Sequence, residues 1–482
     1  MPDTQLVENL RRHVYILASD TLEGREATKT GQKKAAAYIA GQFQHFGLKP
    51  GASDSVPFYQ QFLTQRLYFG QTGLIVQDII FNNGNHFVFS SPKPVSENIT
   101  LPIKVIAYTA LNKVNWSPQP ECIMVFSDQI KSAIDTIRKA SEYTKSKYFA
   151  IVLPGDDDKV KAEIRKFRSA TVEQYPEAAF NFMNNNSIPV FSDYLRELNP
   201  EIKIVLLDHF IFRLLSGLNP KEAHQIAIKC RKKGQIPDFK IDSLRLAIAF
   251  KPELKIASTE NIIGYIEGST HKDEYIIIGA HYDHLGRYEN KIYYGADDNA
   301  SGTAAIIELA RLFANDALTG KLPGRTLVFM AFTAEEKGLC GSAWYVAHPL
   351  FKLENSRRMI NFDMIGRSDK KPEKSDFVYL KSMGKDKRVI KKISRQIDRK
   401  YNDFRIDRSP GFPLGLLYRF GSDHYPFVKK DIPSSVFFTG LHDDYHKPAD
   451  SANKIRYENM AKIVQTAYEL IDVLANSPVN KQ

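Results

Sequence analysis

The 482-residue sequence contains only three cysteines, Cys122, Cys230 and Cys340. They are too few and too widely spaced for a disulfide framework, and their odd number leaves at least one free thiol. No apolar run reaches the roughly 20 residues that a membrane-spanning helix requires. The sequence also lacks the GxSxG motif of serine hydrolases and the HExxH motif of one class of zinc proteases, which argues against both chemistries.

The composition indicates a folded protein with more than one hydrophobic core. Apolar residues make up 43% of the chain and charged residues 25%, which is typical of soluble globular proteins. A chain of 482 residues exceeds the size at which a single core stops growing, so we expect two lobes. Residues 1–5 lack the charged-then-apolar pattern of a secretory signal, so the protein is either cytoplasmic or a mature form whose signal has been removed.

A net charge of +11 raises the question of nucleic-acid binding. Nine basic residues lie within residues 381–400. Val389, Ile390, Ile393 and Ile397 keep helical spacing in that run, which predicts an amphipathic helix with a cationic face in water. No zinc knuckle, glycine-rich phosphate loop or aromatic ladder accompanies it in the sequence, so we predict no nucleic-acid partner.

Three apolar stretches each lead to a residue that can bind a metal ion or a proton. They are residues 275–280, which precede His281; residues 326–332, which precede Glu335 and Glu336; and residues 358–362, which precede Asp363. Short continuous apolar runs are typical of strands buried on both faces. Because ligands of open α/β sheets bind outside the carboxyl ends of the strands, we expect these side chains to meet at one edge.

Two further blocks complete the ligands that a two-metal site needs. Asp298 lies in GADDNASG, and His446 lies in DDYHKPAD. Two divalent ions clamp a water molecule and a substrate oxygen when one carboxylate bridges them and each ion has at least two further ligands. Zinc takes nitrogen from histidine and oxygen from aspartate or glutamate. Two histidines and three acids therefore satisfy a hydrolytic site with two zinc ions.

The adjacent glutamates can serve different purposes. Glu336 can hold a metal ion while Glu335 removes a proton from the bound water, which is general-base catalysis. Asp283 lies two residues beyond His281 and therefore on the same side of an extended chain. We predict that Asp283 orients the imidazole of His281 without binding the metal itself.

Together these motifs resemble the dinuclear-zinc exopeptidases, which include bacterial secreted aminopeptidases, glutamate carboxypeptidase and, more distantly, glutaminyl cyclase. The resemblance covers residues 255–475 and consists of HxD, GAxDNASG, AEE followed by Gly338-Leu339, NFDMIG, SDHxPF and YHxxAD, in the family's order. It implies an α/β fold with a mixed, mostly parallel central sheet sandwiched by helices. Two zinc ions would lie at the carboxyl edge of its strands.

The resemblance also implies five metal ligands. Asp298 would bridge both ions, His281 and Asp363 would complete one ion, and Glu336 and His446 would complete the other. Asp297 is the second choice for the bridge. A cis peptide bond is expected between Asp298 and Asn299.

Three further residues take part in the implied chemistry. Glu335 would be the general base, Asp283 would orient His281, and Tyr445 would stabilise the developing oxyanion. Glutaminyl cyclases of this fold keep one zinc ion. Because every ligand of a second ion is present here, the resemblance favours peptide hydrolysis over cyclisation.

The motifs divide the chain into residues 1–64 and 254–482 of a catalytic domain, with residues 65–253 between them. The middle segment has strand-like runs, one helical segment at residues 132–143 and no cluster of metal ligands in its sequence. It resembles the protease-associated domain that is often inserted here in the family, a smaller α/β or β-rich domain. Such an insert would cover the cleft and influence which peptides enter, without a chemical role.

The N-terminal segment also resembles that of bacterial members. Residues 31–46 have near-helical apolar spacing, and Gly47 is a plausible end of that helix. We interpret Asp20, Glu23 and Arg25 as polar loop residues without a catalytic role.

The predicted function is a zinc-dependent exopeptidase with a peptide substrate, first of all an aminopeptidase. A carboxypeptidase, a dipeptidase and a glutaminyl cyclase-like enzyme are the alternatives, and a binding module on an inactive peptidase scaffold is the non-enzymatic one. A carboxypeptidase needs a cation, which Arg367, Arg408 or Arg419 could supply, and residues 412–420 could line a specificity pocket. The resemblance to exported enzymes favours a periplasmic or secreted protein, with the cytoplasm as the alternative and the oligomeric state open.

Overall fold

The computed structural model describes residues 3–52, 56–68, 253–288, 290–369, 376–401, 403–408 and 421–477, and shorter stretches between residues 69 and 252: 73–76, 79–82, 87–90, 99–106, 121–126, 130–152, 177–182, 202–207, 219, 221–222, 225 and 245–249. The chain forms two compact units, Met1–Leu63 with Ser258–Gln482 and Thr64–Ala257. The protease-associated character of residues 65–253 stays a prediction. In the described ranges, no helix combines the length and the apolar character needed to cross a membrane.

The chain begins with two helices and two strands. These are α1 (Thr4–Leu17), α2 (Thr30–His45), β1 (Lys49–Pro50) and β2 (Tyr59–Tyr68). Asp3 caps α1 by accepting a hydrogen bond from the backbone N–H of Gln5 at 2.9 Å. Just beyond α2, Gly47 has a φ of +79°, a left-handed conformation that favours glycine. The predicted helix at residues 31–46 is therefore confirmed.

The second unit contains a mixed sheet with a central run of parallel strands. Its elements are β3 (Gly73–Val76), β4 (Ile79–Asn82), β5 (Phe87–Ser90), β6 (Ile99–Ile106), β7 (Cys122–Phe126), α3 (Ile130–Ala140), β8 (Tyr148–Val152), β9 (Glu177–Phe182), β10 (Lys203–Leu207) and β11 (Arg245–Ala249). Eight strands follow the order β4-β3-β11-β6-β7-β8-β10-β5. The run β6-β7-β8-β10 is parallel and the outer pairings are antiparallel. The predicted smaller domain with strands and a helix is confirmed.

The remaining elements belong mainly to the first unit. The strands are β12 (Glu253–Ile266), β13 (His271–His281), β14 (Gly286–Tyr288), β15 (Lys291–Tyr293), β16 (Arg325–Phe332), β17 (Ser356–Phe362), β18 (Asp376–Met383), β19 (Phe404–Asp407) and β20 (Ser434–Phe438). The helices are α4 (Gly302–Leu318), α5 (Cys340–Ala347), α6 (Lys387–Asp398), α7 (His424–Val428) and α8 (Tyr457–Asn476). Helix α6 is the predicted cationic amphipathic helix, with Ile390, Ile393 and Ile397 buried.

The central sheet of the first unit brings the three predicted strands side by side. It includes the run β19-β18-β20-β17-β13-β16-β12. Strands β20, β17, β13 and β16 are parallel, while β18 and β12 pair antiparallel with this block. The carboxyl ends of β17, β13 and β16 therefore share one edge, as the sequence predicts.

Helices cover both faces of this sheet, which explains why consecutive residues of its strands are apolar. Ile276 and Ile278 face the core that contains residues of α1, α2, α4 and α8. Ile277, between them, faces the opposite side with Tyr345 of α5 and Phe427 of α7. Consecutive residues of a strand point to opposite faces, so a strand between two helical layers buries all of them. The predicted sheet sandwiched by helices is confirmed.

The amino ends of the same strands are joined by ion pairs. Glu274 on β13 accepts a hydrogen bond from Arg357 on β17 and one from Arg325 on β16, the latter at 2.7 Å. The hydrogen bond from Arg357 is the largest effect on the pKa of Glu274. Together with the bond from Arg325 it outweighs the opposing effect of desolvation and lowers this pKa to about 2. Arg325 also donates to the carbonyl oxygens of Leu474 and Ser477 at 2.8 and 2.7 Å. This edge of the sheet is therefore fastened to the end of α8.

Replacing the carboxylate at this edge should weaken the fold in a pH-dependent way. Glu274→Gln should lower the free energy of unfolding by about 1 kcal/mol at pH 7, the upper range for partly exposed pairs. Because the pKa of Glu274 is lower in the folded than in the unfolded state, its contribution is present above about pH 4.3 and is lost as the pH falls towards 2. Urea unfolding of the wild type and the variant at pH 7 and pH 3 measures this.

Glu8→Gln provides the control, since its carboxylate lies 3.7 Å from Arg11 and its side chain is 61% exposed. This variant should unfold like the wild type at both pH values. A loss in Glu274→Gln that is the same at pH 3 as at pH 7 would contradict the ionic origin of the effect.

Candidate metal centre

The carboxyl edge of the parallel strands collects the predicted site residues. His281 is the last residue of β13, Asp363 directly follows β17, and Glu335 lies three positions beyond β16. Asp298 comes from the turn between β15 and α4, and His446 from the loop between β20 and α8. Five separate segments of the chain thus converge on one place.

A first group of side chains consists of His281, Glu335 and Asp363. The Nε2 atom of His281 lies 3.5 Å from Oδ1 of Asp363 and 3.9 Å from Oε2 of Glu335. The same nitrogen lies 3.4 Å from Oδ1 of Asp298. One imidazole nitrogen and several carboxylate oxygens at this spacing are the donors that zinc prefers.

A second group consists of His284, Asp298 and Glu336. His446 joins it, because its Nε2 atom lies 3.0 Å from Oδ2 of Asp298 and 3.2 Å from Oε2 of Glu336. The Nδ1 atom of His284 lies 2.7 Å from Oε1 of Glu336. The sequence interpretation did not include His284, although it directly follows the HxD motif.

Asp298 faces the two groups with different oxygen atoms. Its Oδ1 is turned towards His281 and its Oδ2 towards His446. The residue is 3% exposed and is therefore almost fully enclosed by its neighbours. A carboxylate in this position is suited to bridging two cations.

The backbone around Asp298 is held by Asp450, from the same block as His446. The carboxylate of Asp450 accepts hydrogen bonds from the N–H of Asp297 at 3.0 and 3.1 Å and from the N–H of Asp298 at 3.1 Å. The peptide bond between Asp298 and Asn299 is cis, as predicted. Asp297 turns its own carboxylate towards His442, at 3.2 Å, and belongs to neither group of described side chains.

Buried carboxylates outnumber buried imidazoles in this centre, and the pKa values reflect it. Burial raises the pKa of Glu335 well above its ordinary value, against the effect of His281. Burial likewise raises the pKa of Asp283 to about 7. Burial lowers the pKa of His281, but Glu335 and Asp363 outweigh this and raise it well above the ordinary value. Divalent cations relieve such an excess of negative charge, so the donor set fits two metal ions.

The two adjacent glutamates differ in their surroundings. Burial raises the pKa of Glu336, but His446 and His284 outweigh this and hold it well below its ordinary value. The side chain of Glu336 is 4% exposed, whereas that of Glu335 is 13% exposed and lines the cavity. Glu336 is therefore suited to be an ionised ligand and Glu335 to exchange protons with a molecule in the cavity.

Asp283 contacts two site residues through different atoms. Its backbone carbonyl oxygen lies 3.2 Å from Nδ1 of His281, and its carboxylate lies 3.8 Å from that nitrogen. The carboxylate accepts a hydrogen bond from the backbone N–H of Glu335 at 3.0 Å. The predicted role of Asp283 in orienting His281 stays a prediction, and the backbone oxygen is the nearer partner for it.

An open cavity lies over the first group. Its walls combine the polar residues of the centre with apolar and small ones: His281, Asp298, Glu335, Asp363, Met364, Gly421, Ser422, His424, Val436, Phe438, Leu441, Tyr445 and His446. The ring of Tyr445 stacks on that of His446 with 3.8 Å between the centroids. The predicted oxyanion contact of Tyr445 stays a prediction.

The interpretation of Arg25 as a simple polar loop residue is wrong. Its side chain is fully buried, and desolvation lowers its pKa to about 10. The guanidinium donates to four backbone carbonyls, those of Leu17, Tyr282, Tyr294 and Gly295. Arg25 therefore connects the N-terminal segment to the loop that follows His281 and to the loop that leads to Asp298.

The cations considered for a terminal carboxylate are placed elsewhere where the structure describes them. Arg367 and Arg408 each pair with an aspartate, at 3.2 and 2.7 Å. Neither lines the cavity over the first group. Arg419 and residues 412–420 lie outside the described residues.

Comparison with known sequences finds a family profile that is similar to the C-terminal part. The profile of Peptidase family M28 matches residues 261–471. The chain is 30% identical over 227 residues to YfbL from Escherichia coli, covering 41% of this chain and 66% of that protein. It is 32% identical over 235 residues to aminopeptidase YwaD from Bacillus subtilis, covering 47% of this chain and 46% of that protein. The chain thus spans between about half and two thirds of these curated relatives.

Comparison with solved structures covers nearly the whole chain. An aminopeptidase from Aneurinibacillus sp. strain AM-1 is similar with a TM-score of 0.56 and 17% identity, over 97% of this chain and 93% of that one. The zinc aminopeptidase BSAP from Bacillus subtilis has a TM-score of 0.56 and 18% identity, over 99% and 96% of the two chains. At these identities the likeness shows a shared fold.

Removing the charge of Asp298 should empty the centre. Asp298→Asn leaves a neutral amide between two cations, so we expect most of the bound metal to be lost on dialysis. Inductively coupled plasma mass spectrometry of metal per chain measures this, with circular dichroism to establish that the variant is folded. Asp297→Asn, at the alternative bridging position, should keep its metal. If Asp298→Asn retained two ions, the carboxylate of Asp298 would not be the bridge.

Proposed function

We propose that the chain is a zinc-dependent aminopeptidase that removes residues from the amino end of peptides, and the match of residues 261–471 to the profile of Peptidase family M28 supports this. The observation that carries this proposal is the position of Asp298, whose two carboxylate oxygens face two different groups of metal-binding side chains. A centre for two cations at the floor of an open cavity is suited to hydrolysis.

Five residues hold the ions in this proposal. Asp298 would contact both ions, His281 and Asp363 would hold one, and Glu336 and His446 would hold the other. Zinc ions bound there would polarise the scissile carbonyl group and lower the pKa of the attacking water molecule. The low pKa of Glu336 supports its role, because a ligand must remain ionised.

Glu335 is the proposed general base. Its side chain faces the cavity, and its backbone N–H is held by Asp283 at 3.0 Å. It would take the proton of the attacking water molecule and deliver it to the leaving amine. Tyr445, in the wall of the same cavity, would donate a hydrogen bond to the oxyanion as it develops.

The charges around the cavity favour the amino end of the substrate. The described residues that line it include Asp298, Glu335 and Asp363 but no lysine or arginine. A terminal carboxylate requires a cation from the protein, which the described lining does not supply, whereas a free amine requires none. Carboxypeptidase activity is therefore the second candidate.

Two other readings of the site have less support. A glutaminyl cyclase-like enzyme needs one zinc ion, yet donors for two ions converge here. A binding module on an inactive scaffold would have lost ligands, and the short distances among the side chains of His281, Asp298, Glu336, Asp363 and His446 support an active centre instead. We further propose that the enzyme acts in the periplasm or outside the cell, and that the second unit influences which peptides enter.

Removing the proton acceptor should abolish turnover without removing the metal. Glu335→Gln keeps the size of the side chain, but the amide cannot accept a proton. We therefore expect kcat to fall by several orders of magnitude, that is by at least the factor of about 10²–10⁴ that acid–base catalysis contributes. Zinc content should stay near that of the wild type. Unchanged turnover with aminoacyl p-nitroanilides would rule out this role for Glu335.

The preferred end of the substrate can be measured directly. Peptides with a free amino end should be cleaved, and the same peptides with an acetylated amino end should be cleaved at least tenfold more slowly, because the acetyl group removes the free amine that an aminopeptidase recognises. Chelator should abolish both activities. Faster cleavage of blocked peptides from the carboxyl end would overturn the aminopeptidase assignment and leave the metal centre standing.

A further inference from the structure

We propose that His284 is a positioning residue for the second metal ion. It donates a hydrogen bond to one oxygen of Glu336, so that this carboxylate presents only its other oxygen to the ion beside His446. The inference rests on the proposed function, which supplies two bound ions. It assigns a role to a histidine that lies outside the five proposed ligands.

The contacts divide the two oxygens of Glu336. Its Oε1 lies 2.7 Å from Nδ1 of His284, a hydrogen-bond distance, while its Oε2 lies 3.2 Å from Nε2 of His446. His446 is also 3.0 Å from Oδ2 of Asp298, whereas Nδ1 of His284 is 3.8 Å from that oxygen. His446 therefore lies between the two carboxylates, where a ligand of the second ion is expected. Of these two carboxylates, only that of Glu336 lies at hydrogen-bond distance from His284.

The ring of His284 is held in place from its other side. It is fully buried, and its backbone N–H donates to the carbonyl oxygen of Arg25 at 3.2 Å. A Cβ atom at Gly295 would lie 2.4 Å from Cγ of His284, so only glycine permits this close packing. Arg25 in turn donates to the carbonyl oxygen of Gly295 at 2.8 Å. The ring is thus fixed between the N-terminal segment and the loop that leads to Asp298.

The chemistry requires a proton on Nδ1 of His284. In the neutral tautomer with that proton, the ring donates to Oε1 of Glu336 and keeps Oε2 turned towards His446. Partners of metal ligands typically change metal affinity by about 10–100-fold when they are removed. The first ion, between His281 and Asp363, has no such dependence on His284, so the two ions should respond differently.

Zinc titration of the full-length chain against a chromophoric chelator tests this inference by measuring both dissociation constants. In His284→Ala the weaker binding of one ion should appear as a rise of about 10–100-fold in one Kd, with the other unchanged. His284→Asn should recover most of the affinity, because the amide nitrogen of asparagine is as many bonds from the backbone as Nδ1 of histidine.

A matched control is His13→Ala. His13 lies on α1, outside the metal centre, and is also fully buried. Like His284 it lies beside a glutamate, with its Nε2 atom 3.2 Å from Oε1 of Glu308. It should leave both zinc constants unchanged, which separates a metal effect from the loss of any buried histidine. Circular dichroism of each variant shows whether it is folded.

Three outcomes would overturn an assignment, and they are distinguishable. If His284→Ala bound both ions like the wild type, the positioning role would be wrong and the proposed function would stand. If His284→Asn were as weak as His284→Ala, and the visible spectrum of the cobalt-loaded protein lost a nitrogen ligand in both, His284 would be a direct ligand instead. If the wild type bound no zinc, the proposed function itself would fail.

Discussion

The placement of one carboxylate, that of Asp298, between two sets of metal-binding side chains is the constraint on which the rest of the site depends. The carboxylate can face both sets only if the backbone of Asp298 is fixed. Asp450 fixes it by accepting three hydrogen bonds from the backbone N–H groups of Asp297 and Asp298. Arg25 adds a second constraint from the N-terminal segment. The crowding of buried acids that results is unfavourable without cations, and that is why the arrangement indicates a metal centre.

The amino ends of the central strands carry ion pairs, and their carboxyl ends carry residues of the site. At their amino ends, Glu274 joins three neighbouring strands through Arg325 and Arg357, and Arg325 ties them to α8. At their carboxyl ends, the same strands deliver His281 and Asp363 to the cavity. Helices pack on both faces of these strands, so the proposed metal ligands extend from a well-packed sheet. The stability of one edge thus supports the chemistry of the other.

Part of this centre could be predicted because His281, Glu335 and Asp363 each lie at or just beyond the end of a recognisable strand. The runs before them are mostly apolar, which is typical of a strand between two helical layers. The cis peptide bond after Asp298 and the helix that ends before Gly47 were also predictable, the first from family resemblance and the second from spacing.

The parts that the sequence did not reveal depend on contacts between distant segments. Arg25 is buried because loops more than 250 residues away supply carbonyl oxygens to it, as in its bond to Tyr282. His284 is not part of a periodic pattern that would predict its position. The direction of its ring depends on the turn after β13 and on its close packing against Gly295. The backbone oxygen of Asp283, rather than its carboxylate, lies nearer His281, a distinction that no sequence pattern records.

Anomalous diffraction at the zinc absorption edge, from crystals of the zinc-loaded protein, tests the shared carboxylate most directly. We expect two peaks on opposite sides of the Asp298 carboxylate, about 3.5–4 Å apart, one beside His281 and the other beside His446. A single peak, or two peaks of which neither contacts Asp298, would contradict the bridging role from which the proposed chemistry follows.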